Sequence, residues 1–148
     1  PATARAAGLL HNLGLLWIVD QLPQQVEEVI KRVERNQNIT FQQALSETLG
    51  FDQAQAGGHL ASCWKLPDLL VTAMAHYLQY DYQDCHEDIV LTTGLAAELV
   101  SASLNEASCP DSDPRIARLE ISGEDISTLY SQLGGLVTDT RAIAKILI

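Results

Sequence analysis

Helix-start residues punctuate this chain at short intervals along nearly its whole length. Pro23 opens "PQQVEEVIKRVERNQN", where the missing N–H of a proline is no loss in a first helical turn. Val26, Val29, Ile30 and Val33 then fall along one face. Acids lead and bases trail in that segment, which suits the helix dipole. Thr40 with Gln43 forms a capping-box pattern, and Gly50 is a stop signal after Leu49. Asp52 is a cap for a helix to about Trp64, and Pro67 opens "PDLLVTAMAHYLQ". Ile89, Leu91, Leu95, Ala96, Leu99 and Val100 make an apolar stripe in a helix from Ile89 to Leu104, which the loop "CPDSDP" closes. Asp113-Pro114 starts a short helix, and Ser122 with Asp125 caps a closing helix of about residues 122–147. Ile126, Leu129, Leu133, Leu136, Ile143 and Leu147 keep helical spacing there, with Gly134-Gly135 a candidate kink. Ahead of all these, Ala2 to Val19 reads as one Ala- and Leu-rich helix ending near Asp20. Only "RLEIS" is a short candidate for extended chain. The expected fold class is all-α, a compact helical bundle of about seven or eight helices.

A chain of 148 residues with 47% hydrophobic content suffices for one domain with its own core, so residues 1–148 read as a single unit. The net charge of −10 sets up an average field that repels a phosphate backbone, and no nucleic-acid partner is expected. Lys31, Arg32 and Arg35 lie close together, but Glu27, Glu28 and Glu34 interleave with them as on a solvated helix face. Cys63, Cys85 and Cys109 are an odd count without repeated spacing, which suggests neither a disulfide framework nor a zinc ribbon and points to a reducing cytoplasm. No apolar run reaches the roughly 18 residues that span a bilayer, so no membrane partner is expected. The start "PATARAAGLL" lacks a signal pattern and reads as if it began inside a longer protein.

"GLLHNLGLL", residues 8–16, sets a histidine and an asparagine in a leucine run. A histidine followed by aspartate on a helix is a strong metal arrangement when further histidines converge on it. The neutral imidazole donates, and the carboxylate supplies the charge that holds a divalent ion. Asn12 offers only an uncharged amide oxygen. The run "GLLHNLG", followed by "ETLGFDQAQAGGHLASCWKLPDLLVTAM", resembles the HDOD domain of bacterial signalling proteins, a relative of the HD phosphohydrolases and of HD-GYP. The matching positions are Gly8, Leu9, Leu10, His11 and Gly14, then Gly50, Asp52, Gly57, Leu60, Trp64, Leu66 and Pro67, and finally Ala73. The tail "RIARLEISGEDISTLYSQL" is similar to the segment that closes such domains. The chain thus resembles the C-terminal half of the family's domain, with nothing matching its N-terminal helical half. The resemblance implies an HD-domain-like bundle, with Gly14, Asp52, Gly57, Trp64, Leu66 and Pro67 in structural roles and Trp64 packed in the core.

The departures from the family pattern carry the functional reading. The HD aspartate is Asn12 here, the histidine expected after Asp52 is Gln53, and two histidines expected at the end of the next helix fall on Tyr77 and Leu78. His11, Asn12, Gln53, Tyr77 and Leu78 are therefore the positions of a degenerate HD site. A single neutral imidazole cannot hold Mg2+, Mn2+ or Fe2+ where several oxygen and nitrogen ligands are needed. The expectation is no catalytic residue, no metal and no cofactor, with His11 buried and hydrogen-bonded as a structural residue. His76 is one residue from the family position, a rotation of about 100° on a helix. His76 and His59 both read as surface or hydrogen-bonded histidines. "DYQDCHED" mixes groups that can take up Zn2+ or Ca2+ adventitiously, but it lacks EF-hand spacing and reads as a solvated acidic loop. Trp17 shares a helix face with Leu10 and Leu13.

The function expected is a non-catalytic signal-transduction module in the cytoplasm. It would act through a protein partner, the missing N-terminal helical half or a second copy in a homo-oligomer, since Leu9, Leu10, Leu13 and Leu16 exceed what one helix face needs. The alternative is a residual metal-dependent HD-type phosphohydrolase acting on a nucleotide or cyclic dinucleotide. A sensor that binds a nucleotide without cleaving it finds neither a Gly-rich phosphate loop nor an arginine cluster in this sequence.

Overall fold

The computed structural model describes residues 2–36 and 38–147, and their side chains through residue 140. The side chains of Ile143 and Leu147 lie outside the described residues. Within those limits the chain is all-helical: α1 (Ala2–Leu10), α2 (Leu13–Gln21), α3 (Pro23–Arg35), α4 (Phe41–Leu49), α5 (Gln53–Cys63), α6 (Asp68–His76), α7 (Glu87–Leu104), α8 (Pro114–Arg118) and α9 (Gly123–Leu147). No described helix is long and apolar enough to cross a membrane.

The local signals act where the sequence puts them. Thr40 and Asp52 each close a full capping box, with Gln43 and Gln55 respectively, and Gly50 ends α4 in the left-handed region at φ 78°. Asp113 accepts the amide of Arg115 at 2.9 Å, and Ser122 accepts that of Asp125 at 3.1 Å. Pro23 occupies the first turn of α3, and Arg32 and Arg35 its last.

Three readings are corrected. The helix expected from Ala2 to Val19 is two helices, α1 and α2. The Nδ1 of His11 donates to the carbonyl of Gly8 at 2.7 Å, and that is the acceptor the amide of Asn12 would use in an unbroken helix. The chain turns there, and α2 restarts from Asn12 at φ −89°, ψ 4°. "RLEIS" is not extended. Glu120 turns left-handed at φ 55°, and the amide of Ile121 returns to the Ile116 carbonyl at 3.1 Å, a Schellman closure of α8. Trp64 is 58% exposed rather than in the core. It caps the C-terminus of α5, where Lys65 turns left-handed at φ 55° and the amide of Leu66 bonds back to Ala61 at 3.0 Å. That turn sends Leu66, not Trp64, against the core cluster of Ala7, Leu70 and Ala73. In addition, α6 ends at His76 rather than Gln79, and α9 passes through Gly134-Gly135 as one helix.

Ile18, Val26, Val29, Ala44, Leu45 and Ala56 form a core that joins α2 to α5, while Leu95, Leu99, Ile116 and Ile126 join α7, α8 and α9. Helices α2 and α5 cross where Gly14 meets Gly57. A Cβ on Gly14 would collide with the Gln53 carbonyl and the Gly57 amide, so only glycine permits this approach. The close crossing brings the α1/α2 break alongside the start of α5.

Candidate functional site

His11, Asn12, Gln53, Tyr77 and Leu78 come from the α1/α2 break, the start of α5 and the end of α6. All five line one cleft of about 200 Å³, whose wall includes Gln42, Tyr80, Gly94, Glu98 and Arg115. A second lobe of about 530 Å³ shares His11, Asn12, Ala97 and Ser101 and adds Thr93 and Asn105. Gly94 lets α7 close the cleft, because a Cβ there would strike the Tyr77 carbonyl and the Arg115 guanidinium.

Arg115 is the charged anchor of this wall. Its side chain is 2% exposed and that of Asp113 3%, with NH2 of Arg115 to Oδ2 of Asp113 at 2.5 Å and Nε to Oδ1 at 2.9 Å. Its NH1 donates to the Tyr77 carbonyl at 3.4 Å, and its guanidinium carbon lies 4.3 Å from the centroid of the Tyr80 ring. Desolvation pushes the Asp113 carboxyl upward, but the hydrogen bonds and charge of Arg115 outweigh it and hold the group below its ordinary value. Burial pushes the Tyr77 phenol up to about 12, against a smaller downward pull from Gln53 and with a small upward push from the Asp52 charge.

His11 is half-buried, not buried as expected, and its ring meets that of Tyr77 edge to face at 5.1 Å. The Gly8 carbonyl can only accept, so Nδ1 of His11 carries a hydrogen, and in the neutral form of the ring Nε2 is the acceptor. Gln53 and Thr93 are 5% and 3% exposed, yet Oε1 of Gln53 and Oγ1 of Thr93 have no hydrogen-bond partner. Glu98, half-buried on α7, makes no ion pair with any described residue.

The structural positions of the motif sit around the cleft rather than in it. Gly14 and Gly57 form the α2–α5 crossing, Asp52 caps α5, Leu66 packs in the core, Pro67 caps α6, and Trp64 faces solvent. Trp17 is 40% exposed and borders a separate apolar groove with Phe51, His59 and Leu60. His59 is exposed, its Nε2 3.6 Å from the sulfur of Cys63. His76 corrects the reading as surface or hydrogen-bonded: it is half-buried against the Tyr82 ring at 4.9 Å, and its buried Nδ1 lacks a partner. The loop that carries Asp81, Asp84, Cys85 and His86 is pinned by Arg118, which donates to the carbonyls of Tyr80 and Tyr82 and pairs with Glu87 at 2.5 Å. Among the described residues no group of three or more His, Cys, Asp or Glu could hold a metal ion.

The donor set of the cleft does not fit the divalent ion that an HD-type fold implies. Hard cations of this kind need several oxygen donors and anionic charge. Here the lining supplies one imidazole, neutral amides, a serine hydroxyl, two phenols of which burial keeps Tyr77 protonated, and a single carboxylate, with a buried guanidinium in the wall. Asp113, Arg115, Thr93 and Glu98 were not singled out as site residues by the sequence reading. "DSDPR" signalled a helix start only, and the polar residues of α7 stood behind its apolar stripe.

The all-helical fold and this convergence of motif positions fit an HD-related domain of the kind associated with signal transduction. Residues 1–80 match the family model of the HDOD domain, and the chain belongs to that family. The resemblance read in residues 115–133 lies beyond the matched region. No curated protein and no solved structure matches the chain.

Proposed function

We propose that this domain is a non-catalytic regulatory module of bacterial signal transduction, cytoplasmic, that acts by contact with another protein or domain. One observation carries the reading: the family's ligand positions converge on one cleft, and there they hold Asn12, Gln53, Tyr77 and Leu78, none of them charged. With the Tyr77 phenol held up at about 12, that position offers no anion near neutral pH. Without a bound divalent ion, the metal-activated hydroxide that HD-type hydrolysis uses does not form there.

Several large apolar side chains stand exposed and are available to a partner. Leu9 is 84% exposed, Leu16 65%, Trp64 58% and Leu136 62%, apolar side chains of the kind that associating surfaces use. Their partner would be a protein, a further helical half or a second copy.

The test is incubation of the purified chain with Mn2+ and, separately, a cyclic dinucleotide and nucleoside triphosphates. The expected result is hydrolysis no faster than the protein-free control. Turnover that His11→Ala abolishes would overturn the reading.

A further inference from the structure

We propose that the two-lobed cleft beneath the α1/α2 break binds a small organic cation, an ammonium or guanidinium compound that presents N–H donors. The proposal rests on reading the cleft as free of metal, and it turns on which hydrogen-bonding groups the fold leaves unanswered.

The unanswered groups are an amide oxygen, which only accepts, and a hydroxyl, which can accept as well as donate. Gln53, at 5% exposure, lines the first lobe with Oε1 unpartnered, and Thr93, at 3%, lines the second with Oγ1 unpartnered. His11 borders both lobes, and its Nδ1–H, held by Gly8 at 2.7 Å, leaves Nε2 as an acceptor. Glu98 adds a carboxylate to the first lobe. Buried polar groups normally have partners, so two orphans, one in each of two adjoining clefts that share His11 and Asn12, mark hydrogen-bonding capacity that the chain itself does not fill and that ligand N–H groups can meet.

The charges select the sign of the ligand. The charge of Arg115 is already balanced, because Nε and NH2 face Asp113, while NH1 faces the Tyr77 carbonyl and the plane covers Tyr80. Glu98 lacks a counter-ion among the described residues, and the net charge of −10 draws cations toward the surface. One carboxylate balances one ammonium or guanidinium, whereas it falls short for a divalent metal ion.

Agmatine, which carries both head groups, is the probe. Calorimetric titration of the full chain, with the His11 ring followed by NMR, reads the binding in the presence of EDTA. The expected result is one saturable site that shifts the His11 resonances, weakened at least tenfold by Glu98→Gln and likewise by Gln53→Leu. Glu98→Gln lies half-exposed on α7 and keeps the side-chain shape, so it reads the site even where Gln53→Leu disturbs folding. No saturable binding at millimolar agmatine, or equal binding by Glu98→Gln and wild type, overturns the proposal and leaves the non-catalytic reading standing. In a parallel titration without EDTA, competition by Mn2+ with paramagnetic broadening at His11 overturns both.

Discussion

Replacing Arg115 with methionine removes the guanidinium and keeps most of the stem. Both members of its ion pair are almost fully out of solvent, at 2% and 3% side-chain exposure, so Asp113 is left as a buried charge without a counter-ion. Loss of one partner from a buried pair costs about 3 to 5 kcal/mol. The contact with the Tyr80 ring, 4.3 Å from the guanidinium carbon, adds on the order of 1 kcal/mol. With a urea m-value of roughly 2 kcal/mol/M for a domain of this size, the midpoint followed by circular dichroism falls by about 2 to 3 M. Adding Asp113→Asn removes the stranded charge and keeps a good helix cap, so the double variant recovers to within about 2 kcal/mol of wild type. The folded-state pKa of Asp113 lies below its unfolded value, so the pair's contribution is present above about pH 4 and is lost as the pH falls through the folded value. The gap between Arg115→Met and wild type must therefore narrow in acid. A single variant within about 1 kcal/mol of wild type at pH 7, or a double variant no better than the single, would refute the reasoning.

Gly14→Ala pushes a methyl into the Gln53 carbonyl and the Gly57 amide and is expected to cost at least about 2 kcal/mol; an unchanged thermal melt would contradict the close α2–α5 crossing. The folded-state pKa of Tyr77 is raised to about 12, so its neutral form costs nothing below the unfolded value near 10 and stability falls as the pH climbs from there. The loss approaches roughly 3 kcal/mol, and Tyr77→Phe should flatten it in alkaline denaturation titrations; equal slopes for the two proteins would argue against a buried phenol. Asp52→Ala removes the side-chain half of a capping box and should lower stability by about 1 kcal/mol in urea, with no effect counting against the cap.

The helix starts were legible because they are local code. Thr40, Asp52, Asp113 and Ser122 each bond an amide two or three residues ahead, and the residues on either side suffice to read it. The break at His11 was not legible, since a leucine-rich run favours continued helix and one side-chain bond to Gly8 reverses that preference. Trp64 was misplaced for a related reason: the Schellman turn after α5 hands the core position to Leu66, a rotation that spacing alone does not reveal. The convergence of His11, Asn12, Gln53, Tyr77 and Leu78 was anticipated through the family resemblance, whereas Arg115 and Thr93 reach the cleft only through the packing of α7 and α8. Long-range placement of that kind leaves no periodic trace in a sequence.

The central claim is that this cleft has lost its metal site, and elemental analysis of the chain purified without chelator addresses it most directly. The account predicts no stoichiometric manganese, iron or zinc, and the same result for His11→Ala. One equivalent of transition metal per chain, lost on His11→Ala, would contradict it.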